Sequence, residues 1–255
     1  MLSLDPDSLE RLVPDEMMSG EATGQETLQL HLERYQFAAR HAREGRLLDI
    51  ACGVGYGTAL LARRDGVDAV GVDISTEAIR YATERYSGPH TRFEQGNAMS
   101  FADPSGFETI VSLETIEHVE NPLGLLSHLL TLLRPQGILI CSVPTTPSVD
   151  LNPHHLHDFT AQSFRLLLEH LNLREIAALE QMQLVNPVSI VRRKETRMRG
   201  MRQNLIAYYA THPRSLWRRV SSTLRHGFSN KYLTVASCRT SASKTTTNHF
   251  ARPRP

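Results

Sequence analysis

The chain has 255 residues, 40% of them hydrophobic and 22% charged, with a formal net charge of +1. This is enough apolar material for one sizeable core, and it excludes a collagen-like, disordered or disulfide-scaffold chain. Three cysteines, Cys52, Cys141 and Cys238, stand far apart and fit neither a disulfide framework nor a zinc spacing, as a reducing compartment would favour.

No apolar run approaches the roughly 20 residues that a membrane span needs, and the acidic stretch Met1 to Glu16 does not read as a signal peptide. The expectation is a cytoplasmic protein. The near-neutral total hides an asymmetry: residues 1–191 carry 13 Lys and Arg against 26 Asp and Glu, whereas residues 192–255 carry 15 against one. Such a split suits a basic segment that packs on an acidic body or meets a polyanionic partner.

In chain order, Glu26–His41 has a helical pattern. From there, short β-branched or apolar runs alternate with helical stretches. The expected strands are Arg46–Ala51, Asp68–Asp73, Thr91–Gln95, Glu108–Ser112, Gly137–Val143, Leu173–Leu179 and Lys231–Ser237. Helices are expected to start near Gly57, Thr76, Pro122 and Thr160. This alternation predicts an α/β fold, a doubly wound, mostly parallel seven-stranded sheet with helices on both faces.

Thr160 can cap the helix that follows it, with Phe164, Leu166, Leu167, Leu168 and Leu171 as the expected buried face. The division expected is a helical cap over 1–45, a main domain over 46–183 plus 231–238, an insertion over 184–230 and a disordered tail over 239–255. Within the insertion, Pro213, Leu216, Trp217, Val220 and Leu224 share one helical arc, and Arg218, Arg219 and Arg225 lie off it. That basic amphipathic helix either packs on the core or meets an anionic membrane or another polyanion.

Chemistry concentrates at strand ends. The apolar strand Leu47-Leu48-Asp49-Ile50 runs into Ala51-Cys52-Gly53-Val54-Gly55-Tyr56-Gly57 and then a helix, which offers backbone amides and a positive helix end to a ligand. The glycines run G-x-G-x-G, whereas the dinucleotide fingerprint is G-x-G-x-x-G, which argues against a nicotinamide enzyme. Val70-Gly71-Val72-Asp73 places a carboxylate where it can accept from ribose hydroxyls. Asn97, in Gly96-Asn97-Ala98, could accept from an exocyclic amine.

These motifs, in this order, resemble the class I S-adenosylmethionine-dependent methyltransferases, over residues 25–180 plus 231–237. The resemblance implies a Rossmann-like fold and S-adenosylmethionine as cofactor. It places Asp49, Ala51, Gly53 and Gly55 at the methionine end, Asp73 at the ribose and Asn97-Ala98 at the adenine, with Ile74 and Leu113 as further contacts. Glu10-Arg11-Leu12-Val13-Pro14, His31-Leu32-Glu33-Arg34-Tyr35 and Asn152-Pro153-His154-His155-Leu156-His157-Asp158-Phe159-Thr160 are similar to bacterial methyltransferases of glycoconjugate gene clusters. In those, Arg34 and Tyr35 would close over the cofactor. From the residues alone, they could equally be an exposed Arg and a core Tyr. A doubly wound domain that binds another nucleotide, or none, is the plain alternative.

After the fourth strand comes Glu114-Thr115-Ile116-Glu117-His118. Methyl transfer to an alcohol needs help in removing its proton, which suits His118 as base with Glu114 beside it. Glu114, Glu117 and His118, completed by His155, could instead hold Mg²⁺, Mn²⁺, Zn²⁺ or Fe²⁺, which would lower the pKa of an acceptor hydroxyl. The segment resembles the metal-binding Glu-x-x-Glu-His of small-RNA 2′-O-methyltransferases and the matching stretch of ubiquinone-pathway O-methyltransferases. Plain loop structure is the third alternative, and His154 and His157 either shape their loop or line an acceptor pocket.

The expected function is O-methylation of a hydroxylated small molecule, sugar or glycolipid. A metal-dependent RNA 2′-O-methyltransferase and a non-catalytic cofactor-binding interaction protein are the competitors. The expected partner is a small-molecule or glycoconjugate acceptor, with peripheral membrane association through residues 192–225 open. Nucleic acid is not expected, since no RNA-binding module and no spaced stacking aromatics accompany the charge.

Overall fold

The computed structural model describes residues 22–184, 202 and 204–240. Glu10–Pro14, the basic stretch 192–201 and the tail from 241 lie outside the described residues.

The strands are β1 (Gly45–Ile50), β2 (Val67–Asp73), β3 (Thr91–Gln95), β4 (Phe107–Leu113), β5 (Leu133–Pro144), β6 (Leu173–Leu184) and β7 (Ser229–Arg239). The helices are α1 (Ala22–His41), α2 (Tyr56–Leu61), α3 (Thr76–Tyr86), α4 (Pro122–Leu132), α5 (Ala161–His170), α6 (Leu205–Thr211) and α7 (Pro213–His226). A short 3-10 turn spans Ile116–His118. One sheet holds all seven strands in the order β3-β2-β1-β4-β5-β7-β6, and β7 is antiparallel to both of its neighbours. The expected doubly wound, mostly parallel sheet is therefore what forms.

Apolar runs without alternation mark strands covered on both faces. Leu48, Ile50, Val70, Val72, Ile110, Leu139 and Cys141 meet Leu125, Leu126 and Leu129 of α4 and Phe164 and Leu168 of α5. Their neighbours Leu47, Ala69, Val111, Ile138 and Ile140 point the other way, onto Tyr35, Phe37 and Ala38 of α1 and Leu61 of α2. So α1, expected as a cap, is one of the layers that bury the sheet.

Three expectations change. β5 starts at Leu133, before Gly137, and β6 runs on to Leu184, so both are longer than composition suggested. In α5 the cap forms as expected: Thr160 Oγ1 accepts from Ser163 N at 3.0 Å, and Ser163 Oγ accepts from Thr160 N at 2.8 Å. Leu166, however, is 55% exposed, because two residues beyond buried Phe164 puts it across the helix. Third, α7 buries none of its residues, so its apolar arc does not pack on the core.

Candidate functional site

β1 pairs with both β2 and β4, whose helices leave on opposite faces, and a crevice opens at the carboxyl ends of strands at such a switch point. Asp49 lies there, only 1% exposed. Its Oδ2 accepts from Thr58 Oγ1 at 2.6 Å, while Oδ1 has no hydrogen-bond partner. Burial pushes this carboxyl up to about 7, against the Thr58 and Tyr35 hydroxyls, which favour the ionised form. A cation, such as an amino-acid ammonium, would complete it.

The loop after Asp49 is left-handed at every second residue: Ala51 has φ 62°, Gly53 φ 57° and Gly55 φ 85°. A Cβ at Gly53 would meet nothing within 4 Å, so the loop presents open space there. A Cβ at Gly57 would instead run into the ring of Tyr35, which packs on the loop from α1. Asp73, at the end of β2, has its carboxylate set by two backbone amides, Gly53 N to Oδ2 and Ser75 N to Oδ1, both 2.9 Å.

Beside Asp73, Ile74 leaves 63% of its surface exposed, an apolar platform at the mouth of the crevice. Asn97 is exposed, and its Oδ1 already accepts from Met99 N at 2.9 Å, while Ala98 packs against the main core.

Leu113 is buried at the end of β4, and Glu114 follows it with φ 50°. Non-glycine residues rarely adopt such backbone, and two of them, Ala51 and Glu114, end neighbouring strands here. Glu114 N donates to Ser142 Oγ at 3.0 Å, and that hydroxyl donates to Glu114 Oε1 at 2.7 Å. Arg34 is 1% exposed, which removes the exposed-arginine alternative, and its Nη1 lies 3.8 Å from Glu114 Oε1. Its Nε donates to Gln181 Oε1 at 2.8 Å, and its guanidinium stacks 4.3 Å from the centre of the Tyr232 ring.

Arg34 Nη1 is buried without a hydrogen-bond partner. An orphaned cationic donor and an orphaned carboxylate oxygen beside an open glycine loop fit the carboxylate and ammonium of a methionine end. Ser142, Gln181 and Tyr232 were not anticipated from sequence. Gln181 lies 147 residues from Arg34 and is brought to it only by the sheet order.

The 3-10 turn carries the remaining candidates. Glu117 is fully buried, and its carbonyl accepts from Leu156 N and His157 N, which ties the loop after β5 to this turn. His118 Nδ1 lies 3.2 Å from the His154 carbonyl. A carbonyl only accepts, so Nδ1 carries the hydrogen, and in the neutral ring the lone pair is on Nε2. The His155 ring sits edge-on to that of His118 at 4.6 Å, and His155 Nδ1 is 2.7 Å from Ser148 Oγ.

Donor atoms of Glu117, His118 and His155 lie within 4.8 Å of one another. Glu114 is not in that group, because Ser142 and Arg34 hold it on the cofactor side. His157 Nε2 bonds the Val119 carbonyl at 3.0 Å, a loop-shaping contact, and His154 is exposed with its carbonyl on His118.

The methyltransferase domain family matches residues 24–183. The chain is 31% identical over 146 residues to "Phosphoethanolamine N-methyltransferase 3" of Arabidopsis thaliana, covering 52% of this chain and 29% of that relative. It is 34% identical over 115 residues to "Ubiquinone biosynthesis O-methyltransferase" of Methylococcus capsulatus, covering 43% and 48%. It thus spans about half, or less, of these relatives' lengths. A similar fold occurs in the N-methyltransferase NodS from Bradyrhizobium japonicum in complex with S-adenosyl-L-homocysteine, with TM-score 0.59 and 15% identity over 92% of this chain and 98% of that one. The glycine loop, the acid that ends β2 and the sheet order thus meet a family match over most of the described fold, and the chain belongs to the class I S-adenosylmethionine-dependent methyltransferases.

Proposed function

We propose that this chain O-methylates a hydroxylated small molecule, sugar or glycolipid that enters over Glu114–His118 and the loop 145–158. The observation that carries the reading is the contact of His118 Nδ1 with the His154 carbonyl. With Nδ1–H spent on the His154 carbonyl, its basic nitrogen is Nε2, on a buried turn at the carboxyl end of β4.

Asp49 and Arg34 hold the charged ends of the methionine moiety, Asp73 its ribose hydroxyls, and Ile74 and Ala98 the adenine. S-Adenosylmethionine supplies an electrophilic methyl group on a sulfonium. With it bound, His118 Nε2 would take the proton of the acceptor hydroxyl as that oxygen is methylated and the leaving electron pair stays on sulfur. Glu114, fixed by Ser142 and Arg34, borders the crevice on the cofactor side, next to the turn that carries His118.

His118→Asn keeps a donor toward the His154 carbonyl and removes the base. The expected outcome is unchanged cofactor affinity with transfer of labelled methyl groups into extract reduced by about 10²–10⁴-fold. Full transfer by this variant would defeat the reading. A cell extract separated into soluble and lipid fractions before counting would show which class holds the acceptor.

A second reading is favoured by the clustering of Glu117, His118 and His155, a donor set of one carboxylate and two imidazoles that suits Zn²⁺, Fe²⁺ or Mn²⁺. Held there, a divalent cation would lower the pKa of an acceptor hydroxyl, and His118 would be a ligand in place of a base. Loss of transfer on chelation, with recovery on adding back one metal, selects this reading. Transfer that withstands chelation selects His118 as base.

A further inference from the structure

The helix α7 is mounted with its polar side inward. Arg219 faces the body, where Nη2 reaches Asp150 Oδ1 at 2.5 Å and the Pro147 carbonyl at 2.5 Å, and Nε reaches Asp150 Oδ2 at 2.8 Å. Tyr209 of α6 donates to the same Oδ2 at 2.6 Å, and the Arg219 guanidinium and these hydroxyl contacts hold the Asp150 carboxyl below its usual range against the opposing effect of burial. Ser215 and Ser222 share this half-buried inner side.

The outer side is apolar: Leu216 is 42% exposed, Val220 47%, Trp217 70% and Leu224 82%. Ile206 on the neighbouring α6 (86%) and Phe228 just after α7 (56%) are exposed as well. Stepping around the helix at 3.6 residues per turn, Arg214, Arg225 and Arg218 follow next to Trp217, all exposed, with Arg218 3.3 Å from Asp158. No acidic residue occurs in α7.

A soluble helix normally turns its apolar stripe to the core. Here a buried polar clasp holds that stripe outward, and cations flank it. We propose that the outer face of α7, with Ile206 and Phe228, docks on an anionic lipid surface. Apolar side chains enter the headgroup boundary and Arg214 and Arg225 meet lipid phosphates. A protein partner for this face would call for acids opposite the arginines and polar groups opposite none of the apolar ones. A bilayer supplies both requirements as a continuous layer, and Trp with Leu beside Arg is the composition that sits at its interface.

Among the described residues, no helix is long and apolar enough to cross a membrane. The clasp through Asp150 joins α7 to the loop 145–158, which carries His155. Docking thus brings the acceptor side of the crevice to the lipid surface.

Trp217 is the chain's single tryptophan, so its emission reports the contact without a label. Full-length protein is titrated with vesicles of phosphatidylcholine alone and of phosphatidylcholine mixed with phosphatidylglycerol, at low and raised salt. The proposal predicts a blue shift and co-sedimentation with the anionic vesicles, weakened by salt and absent with phosphatidylcholine alone. Leu224→Asp, and separately Arg214→Gln with Arg225→Gln, should each weaken binding on the order of tenfold. Both variants alter exposed side chains, and an unchanged melting temperature shows that they fold.

Unchanged emission and no co-sedimentation with anionic vesicles would overturn the proposal. So would equal binding to both vesicle types, or an RNA oligonucleotide that binds where anionic vesicles do not. Binding is read without turnover, so this outcome is separate from the methyl-transfer assay.

Discussion

Asp49 concentrates the energetics of the site in one carboxyl. Its pKa, raised to about 7 by burial, lies above that of an unfolded aspartate, so the stability it permits is full at low pH and lost as pH rises through about 7. The Asp49→Asn variant carries no charge to bury. In thermal melts without ligand it should therefore gain on the wild type by a few kcal/mol as pH rises from about 4 to 8. Binding of a cationic ammonium favours the ionised form, so the wild-type affinity for S-adenosylhomocysteine should rise over the same interval and that of Asp49→Asn should stay low.

Ala51 gives a second test at this scale. Its φ of 62° puts a Cβ in backbone that L residues disfavour by about 1 kcal/mol, and Ala51→Gly should relieve this and raise stability by a similar amount in urea titrations. Asp49, Gly53, Asp73 and His118 could be picked out from the sequence because each ends or follows a short apolar strand. The role of Arg34 was half visible. Its partners Gln181 and Tyr232, and Ser142 that fixes Glu114 beside it, are ordinary polar residues in three different strands, and no local pattern marks them.

Among the elements, β1, β2 and β4 were legible because both faces are buried and their runs are uninterrupted. The strands β6 and β7 lie at or next to the sheet edge, and polar residues such as Gln181 and Gln183 interrupt β6, so its reach to Leu184 was hidden. Pro135 and Gln136 at the start of β5 read as a turn, and Gln136 does have a positive φ of 64°. The strand nonetheless pairs there, with Phe107 opposite Leu133 and a shift in register before Thr109.

In α5 the period predicted a buried face, but five leucine and phenylalanine positions are more than one face can take. Phe164→Ala should cost about 3–5 kcal/mol, whereas Leu166→Ala should stay within about 0.5 kcal/mol. Similar losses for the two in chemical denaturation would mean that the helix is rotated from this description. For α7 the period was right, and the side that meets the protein was the polar one. Asp150, fixed by Arg219 and Tyr209, holds it that way, and an acid in a loop 69 residues away from Arg219 carries no local signal.

For the whole molecule, the acidic first part and basic last part proved informative about a surface as well as a core. Part of that complementarity is internal, since Arg219 and Arg218 pair with Asp150 and Asp158. Among the described residues, Arg214 and Arg225 stand exposed on α7 beside its apolar side chains. The sheet order puts the crevice between β1 and β4, with the glycine loop on one lip and the histidine-bearing turn on the other. Methyl donor and acceptor would thus meet across a single switch point, and the loop 145–158 connects that point to α7.

The central claim is that the glycine loop with Asp49, Arg34 and Asp73 forms a site for S-adenosylmethionine. Isothermal titration of S-adenosylhomocysteine into the wild type and Gly53→Val tests it most directly. The substitution meets no neighbouring atom and fills the ligand's place, at a cost to the fold of about 2 kcal/mol for a β-branched residue in left-handed backbone. Saturable one-to-one binding by the wild type, lost in a variant that still melts cooperatively, is the predicted result. A wild type that takes up no ligand, or a valine variant that binds equally well, would contradict it.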